Sequence, residues 1–475
     1  MSLISTILHV ILLIVVVLMV FNIIIFVHEL GHFLAAKWRG LKIDRFQIWF
    51  GKALWKKEIN GVQYGLGWIP AGGFVALPQM APMEALEGET LDRAPLPPIT
   101  PLDKIIVAFA GPLFSMLLAL VAAVVVCQVG KPADFISSQI VGEVVKDSPA
   151  AKAGIQSGDK IIEINGQPVN GFAGSLDSIT EAIILSKGKQ IEFVVERKDD
   201  KGEPKRVTCV SEFKTEKTKW FQRGGLRQVG IGPEIDHLEL GSIVKGSPAA
   251  KAGFKEGDTL VSMNGEKFTT ADAVIAFVKD TGAKPIEFEI SRDGKPLTIT
   301  VTPVVPKSPA GKGPMLGFKP YSVPHQDTAM VHPRPIKQVG DSLRMMWTTI
   351  NRVVASDSSI GVGHLSGPIG IGSLMYQLLL MENGWRMVLA FMVLFNVNLA
   401  VLNMMPFPVL DGGHITLAIL EKIFGRPVKA KPLEILQTAC ALALISLMLF
   451  VSSKDIGDKF GHGPATGDEI VFPEN

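Results

Sequence analysis

The sequence predicts a multi-pass α-helical membrane protein with four transmembrane helices and two inserted α+β domains. Three observations predict it. Four apolar runs are long enough to cross a bilayer. Hydrophobic residues make up 47% of the 475 residues and charged residues only 19%, a smaller charged share than soluble domains carry. A stretch of 22 residues occurs twice in the polar region between the second and third runs. The net charge of +2 gives no reason to expect nucleic acid as a partner. Three cysteines, Cys127, Cys209 and Cys440, form no Cys-x-x-Cys pair and no readable disulfide framework, so a metal site must draw on His and carboxylates.

The first run, residues 7–27, is apolar except for His9 and Asn22, and its length suits a helix crossing the hydrocarbon core. It lacks the basic start and small-residue cleavage site of a signal peptide and is too long for one. The second span is expected over Ile105–Cys127, the third over Met387–Met405 and the fourth over Leu433–Val451. Basic residues orient them. Lys37, Arg39, Lys42, Arg45, Lys52, Lys56 and Lys57 follow the first span, and Lys422, Arg426, Lys429 and Lys431 lie between the third and fourth, so both segments are expected on the cytoplasmic side. Asp455, Asp458, Asp468, Glu469 and Glu474 after the fourth span suit the opposite side, as does the long polar region between spans two and three.

Within that region, SPAAKAGIQSGDKIIEINGQPV at 148–169 and SPAAKAGFKEGDTLVSMNGEKF at 247–268 share half their positions. Ser-Pro, Gly-Asp and Asn-Gly turn signals separate short β-rich runs such as Ile161–Ile164 and Ile191–Glu196, and a helix is expected near 177–185 and 270–279. The repeated pattern resembles PDZ domains, which bind an extended peptide as an added strand. The resemblance implies peptide-binding loops at Val229-Gly230-Ile231 and Leu316-Gly317-Phe318. Spacers that bind nothing are the alternative.

The chemistry is concentrated in His28-Glu29-Leu30-Gly31-His32, at the end of the first run. Residues i and i+4 share a helix face, so both imidazoles can reach one zinc ion, with Glu29 beside them to take a proton from a water. Three ionisable groups in one turn of a span cost about 2.5–3.5 kcal/mol each at its centre, which argues for function over histidines snorkelling toward headgroups. A catalytic zinc needs a third protein ligand and an open position. The third span ends in Asn403-Met-Met-Pro406-Phe-Pro408-Val-Leu-Asp411-Gly412-Gly413-His414, where two prolines break the helix. Spacing alone leaves Asp411 as third ligand or as cap of the next helix, with His414 a lesser rival.

HExxH in a first span with N-x2-P-x-P-x2-DGG in a later one resembles the site-2 protease family of intramembrane zinc metalloproteases. Within it, the chain is similar to the bacterial sigma-factor-regulating members with tandem PDZ domains. The resemblance implies that His28, His32 and Asp411 bind one zinc ion and that Glu29 activates water. It implies that Asn403, with Asn398, Pro406, Gly72 and Gly73, serves substrate binding. Gly67-Trp-Ile-Pro70-Ala-Gly72-Gly73 resembles the family's glycine-rich element, in a membrane-associated β-hairpin readable as alternation around Ile48–Tyr64. Ala110-Gly111-Pro112 also matches, but Ser115 stands where the family often has asparagine. That departure is expected to leave the zinc site untouched and to alter only a local contact. Leu365-Ser-Gly-Pro-Ile369 matches as well. Ile336–Val354, with Trp347, reads equally as an amphipathic helix on the membrane surface or an ordinary surface helix.

The expected organisation is therefore 1–132 (spans one and two), 133–234 and 235–322 (the two PDZ domains), 323–383 (linker and amphipathic helix) and 384–475 (spans three and four with a tail). The implied partners are the lipid bilayer and single-span membrane proteins, such as anti-sigma factors, already cut outside the membrane. The implied place is a bacterial inner membrane, with the active site near the cytoplasmic face and the PDZ domains periplasmic. A non-catalytic PDZ scaffold would need neither HELGH nor LDGG. An outward-facing zincin conflicts with the charge-based orientation.

Overall fold

A computed structural model describes residues 3–80, 96–97, 99–199, 202–216, 218, 221–268, 270–308, 313–324, 329–425, 430–461 and 472–473. Arg426, Lys429, Asp468, Glu469 and Glu474, used above to orient the spans, lie outside these residues, as do residues 325–328 of the expected linker. The chain forms two compact units: 1–132 with 329–351 and 365–455, and 133–328 with 352–364 and 456–475.

Among the described residues, four helices are long and apolar enough to cross a membrane: Ile7–Trp38, Pro101–Val129, Gly384–Asn403 and Pro432–Asp458, the first three within the first unit and the fourth within it up to Asp455. The first is part of a helix, Leu3–Trp38, of 36 residues. At about 1.5 Å per residue it outruns the roughly 30 Å hydrocarbon core. HELGH is thus held inside a regular helix and not at a frayed end. The second span starts at a capping box in which Thr100 and Asp103 bond reciprocally, with Pro101 at the first helical position. Asp103 also accepts from Arg39 at 2.7 Å, tying the end of the first helix to the start of the second. Small residues let the spans approach: Ala122 and Ala123 pack with Val17, Val20, Ile24, Val388, Met392 and Val393 in one core. Gly31 sits so close to the second span that a Cβ there would lie 2.4 Å from the Ala110 carbonyl oxygen.

Asp455, buried near the end of the fourth span, accepts from the backbone N–H groups of Gly367 (3.0 Å) and Gly370 (2.8 Å). It thereby caps the helix Pro368–Leu380 and gives the Leu365–Ile369 motif a structural purpose. The helix Pro335–Val354 buries Ser342 and Met346 and leaves Trp347 67% exposed.

The segment expected to be a hairpin is instead a four-stranded sheet. Strands β1 (Arg45–Phe50), β2 (Trp55–Ile59), β3 (Val62–Leu66) and β4 (Ile69–Ala76) run in the order β2-β3-β1-β4. β2 and β3 do form a hairpin around Asn60-Gly61, but β1 pairs parallel to β3 and antiparallel to β4. The alternation around Ile48–Tyr64 therefore spans three strands interrupted at 51–54. Trp49 has φ +68° at the irregularity between Ile48 and Phe50, a costly conformation for a bulky residue. Its indole N–H donates to Asn22 Oδ1 at 2.6 Å, which pins the sheet to the first span.

The second unit contains both copies of the repeat, and each copy has its own core. Val141, Ile161, Ile164, Ile179, Ile191, Phe193, Val195 and Val229 fill the first; Leu238, Leu240, Met263, Val274, Ile286, Phe288 and Leu316 fill the second. The shared motif has the same physical use in both. Ser148 and Ser247 N-cap the short helices after Ser-Pro by accepting from Ala151 and Ala250. The Gly-Asp aspartates, Asp159 and Asp258, are buried and paired with Arg197 and Arg292, each through two contacts of 2.7 Å. Asn165 and Asn264 turn the chain at φ +50° and +49°, and their side chains accept from the backbone N–H groups of Glu192 and Glu287. The expected helices form at Ile179–Ile184 and Ala271–Thr281.

The two glycine loops are built alike. Gly230 (φ +84°) accepts from Val145 N–H, and Gly317 (φ +81°) from Val244 N–H. Val229 and Leu316 accept from Ala150 and Ala249 and are buried. Ile231–Pro233 pairs with Val141–Val144, and Phe318–Pro324 forms an edge of a five-stranded sheet beside Ile235–Ile243.

Candidate active site

His28 and His32 lie on one face of the first helix, with Nε2 atoms 3.4 Å apart. Asp411 opens the helix Asp411–Phe424, which follows the proline-broken turn after the third span. Its Oδ2 lies 3.3 Å from His28 Nε2 and its Oδ1 3.3 Å from His32 Nε2. The turn closes this tightly because Gly412 and Gly413 have no side chain. A Cβ at Gly412 would lie 2.3 Å from the Met404 carbonyl oxygen, and one at Gly413 would lie 2.1 Å from that of Phe407. Pro406 is exposed in that turn and shapes the backbone.

The donor set fits zinc. A tetrahedral zinc with bonds of about 2.0–2.1 Å has ligand-to-ligand edges of about 3.3–3.4 Å, the spacing these atoms show. Among the described residues, Asp411 Oδ2 is buried without a conventional hydrogen-bond partner. Burial pushes the Asp411 carboxyl up, and the two histidines, when they carry a proton on Nε2, more than offset it and hold it below the usual carboxylate range. Among the described residues, these three form the cluster of His and acidic groups able to hold a metal ion.

The histidines are oriented from behind. His32 Nδ1 lies 2.8 Å from the Val107 carbonyl, which only accepts, so the ring carries its proton there and offers a lone pair at Nε2. His28 Nδ1 lies 3.0 Å from the hydroxyl of the fully buried Ser115. The expectation that Ser115 leaves the zinc site untouched is therefore wrong: it is the polar contact behind a candidate ligand. Gly111 is equally constrained, since a Cβ there would lie 2.2 Å from His32 Nε2. Neither role was legible in the sequence, although Ala110-Gly111-Pro112 marked the place.

One cavity of about 370 Å³ gathers most of the candidates. His28, Glu29, His32, Gly72, Gly73, Asn403, Asp411 and His414 line it. Gly73 comes close to Glu29 and pairs with Ile48 across β1 and β4. Gly72 takes φ +68° where any side chain would strike the Phe50 ring. Asn398 and Pro406 are not among the lining residues; Asn398 Oδ1 is buried without a hydrogen-bond partner among the described residues. His414 lies in the cavity but outside the three-ligand cluster, and burial pushes its imidazole below the ordinary range.

The profile described as Peptidase family M50 matches residues 16–447. The chain is similar to the protease RseP of Yersinia pestis, at 30% identity over 90% of this chain and 94% of that protein. It is similar to the regulator of sigma E protease of Salmonella typhi, also at 30% over 90% and 94%. A protein of Ralstonia nicotianae named as a zinc metalloprotease is 27% identical over 90% and 95%. With the metal-fitting cluster and the four apolar helices, these matches identify the chain as a zinc-dependent membrane metalloprotease belonging to peptidase family M50.

Proposed function

We propose that the chain cleaves single-span membrane proteins within or beside the bilayer, with His28, His32 and Asp411 holding the zinc and Glu29 as general base. The observation that carries this reading is the triangle of ligand atoms at 3.3–3.4 Å, with Glu29 and Asn403 on the same cavity. Bound there, zinc supplies Lewis acidity toward the scissile carbonyl and lowers the pKa of a water. Glu29 takes a proton from that water as its oxygen adds to the carbonyl carbon. Glu29 then returns the proton to the amide nitrogen as the C–N bond breaks. Asn403 positions the substrate backbone, with Asn398 behind it on the same helix. β4, carrying Gly72 and Gly73 at the cavity wall, suits a substrate drawn out as a strand, since a helix shields its peptide bonds.

The two repeats act as PDZ domains over 133–234 and 235–322, and their glycine loops support that reading. Positive charge after the first span supports an active site near the cytoplasmic face of an inner membrane, with the repeats periplasmic. Pre-cut, anti-sigma-factor-like proteins are the proposed substrates, a reading supported by the names of the sigma-E-regulating relatives. The test is cleavage of a reconstituted single-span reporter lacking its ectodomain by wild type and by Glu29→Gln. Loss of about 10²–10⁴-fold in the variant, with zinc still bound, is expected for a general base. Equal cleavage by both would remove Glu29 from that role.

A further inference from the structure

After the fourth span the sequence runs through a polar, glycine-containing stretch and then into Ile470-Val471-Phe472-Pro473, a short apolar block. Phe472 is only 7% exposed. It lies against the glycine loop of the second repeat. A Cβ on Gly317 would stand 2.9 Å from a Phe472 ring carbon and 2.3 Å from Ser247 Cβ. At the equivalent glycine of the first repeat, Gly230, the three atoms nearest to an added Cβ belong to Ser148 and Val145. The strand that leaves the loop, Phe318–Pro324, is an edge strand, with Ile235–Ile243 on one side and its other backbone edge without a strand among the described residues. An apolar side chain beside a glycine loop and an open strand edge is the arrangement by which an extended peptide is captured.

We propose that the loop Leu316–Phe318 is a receptor for an aromatic side chain of an extended peptide, and that the chain's own Phe472 is its resident occupant. This rests on reading the repeats as peptide-binding domains. Because Phe472 belongs to the same chain its contact is intramolecular, so an external peptide must compete with it. The second repeat is thereby closed to weak ligands.

The test is fluorescence anisotropy of a labelled peptide with the sequence of residues 467–475, GDEIVFPEN, titrated with the intact protein, with Phe472→Ala and with a chain ending at residue 461. The expected result is binding at least tenfold tighter to both variants than to the intact protein, and loss of binding when the peptide's phenylalanine is replaced by alanine. Equal binding to all three proteins overturns the proposal. If the tail peptide binds none of them but a heptapeptide ending in Val-Val-Val binds all three, the proposal is overturned while the peptide-binding reading stands. If neither peptide binds any protein, both readings fall.

Discussion

Replacing Ser115 by alanine tests how the zinc ligands are held. In the folded protein the Ser115 hydroxyl is fully buried and lies 3.0 Å from His28 Nδ1. When His28 offers Nε2 to the metal its proton sits on Nδ1, and Ser115 is the group that accepts it. Alanine leaves that N–H buried and unpaired, at a cost of about 1–3 kcal/mol. Because the imidazole can swing or change tautomer to recover a partner, the cost falls on metal binding. At 1.4 kcal/mol per factor of ten, the zinc Kd should rise roughly 5- to 150-fold, in the range typical of lost outer-shell contacts. The assay is competition for zinc against a chromophoric chelator in detergent, with thermal unfolding of the zinc-loaded protein as the control for folding. Ser115→Asn, whose amide oxygen can accept the same proton, should stay closer to wild type than alanine does. A zinc Kd for Ser115→Ala within about twofold of wild type would refute the reasoning, because that is well below the expected outer-shell cost.

Gly111→Ala places a methyl 2.2 Å from His32 Nε2, so it should cut zinc occupancy and proteolysis by more than about tenfold without preventing membrane insertion, read by metal analysis of the purified protein. Asn403→Ala should lower kcat/KM by about 10- to 100-fold while zinc content is unchanged, which separates substrate positioning from metal binding. Burial of the Asp258 carboxyl is more than offset by Arg292, which holds it below the usual carboxylate range. A carboxyl lowered on folding contributes stability above its unfolded pKa of about 3.9 and loses it as pH falls through the folded value. Asp258→Asn should therefore destabilise the second repeat by about 3 kcal/mol at neutral pH and flatten its acid dependence, read by hydrogen exchange of the strand Thr259–Met263 between pH 3 and 7.

The histidine pair was readable because it is local, whereas spacing left Asp411 open between ligand and cap and only the family resemblance singled it out. Two histidines four apart on a helix share a face whatever surrounds them, and Asp411 follows prolines that must end the third span. The duplicated repeat was readable for the same reason, since its caps, turns and buried Gly-Asp aspartates sit within a single motif. What escaped is set by the rotation of one helix against another. The Ser115–His28 contact joins residues 87 apart, and nothing in either segment's periodicity says which faces meet. The parallel pairing of β1 with β3 escaped likewise, because alternation marks a strand but not its neighbour. Asp455 read only as a negative charge after a span, until its carboxylate was found on the backbone of Gly367 and Gly370.

The contact of Gly31 with the Ala110 carbonyl has a mechanical consequence. It lies between His28 and His32 and one residue from Gly111, so the first two spans touch backbone to backbone at the height of the candidate metal ligands. Spans answer a thicker or thinner bilayer chiefly by tilting. The Arg39–Asp103 pair lies on one side of that contact and the packing of Ala122 and Ala123 on Val17, Val20 and Ile24 on the other, so the two helices are tied along their length. A change of tilt therefore carries the two helices together, and the seam between His28, His32 and Gly111 travels with them as one piece.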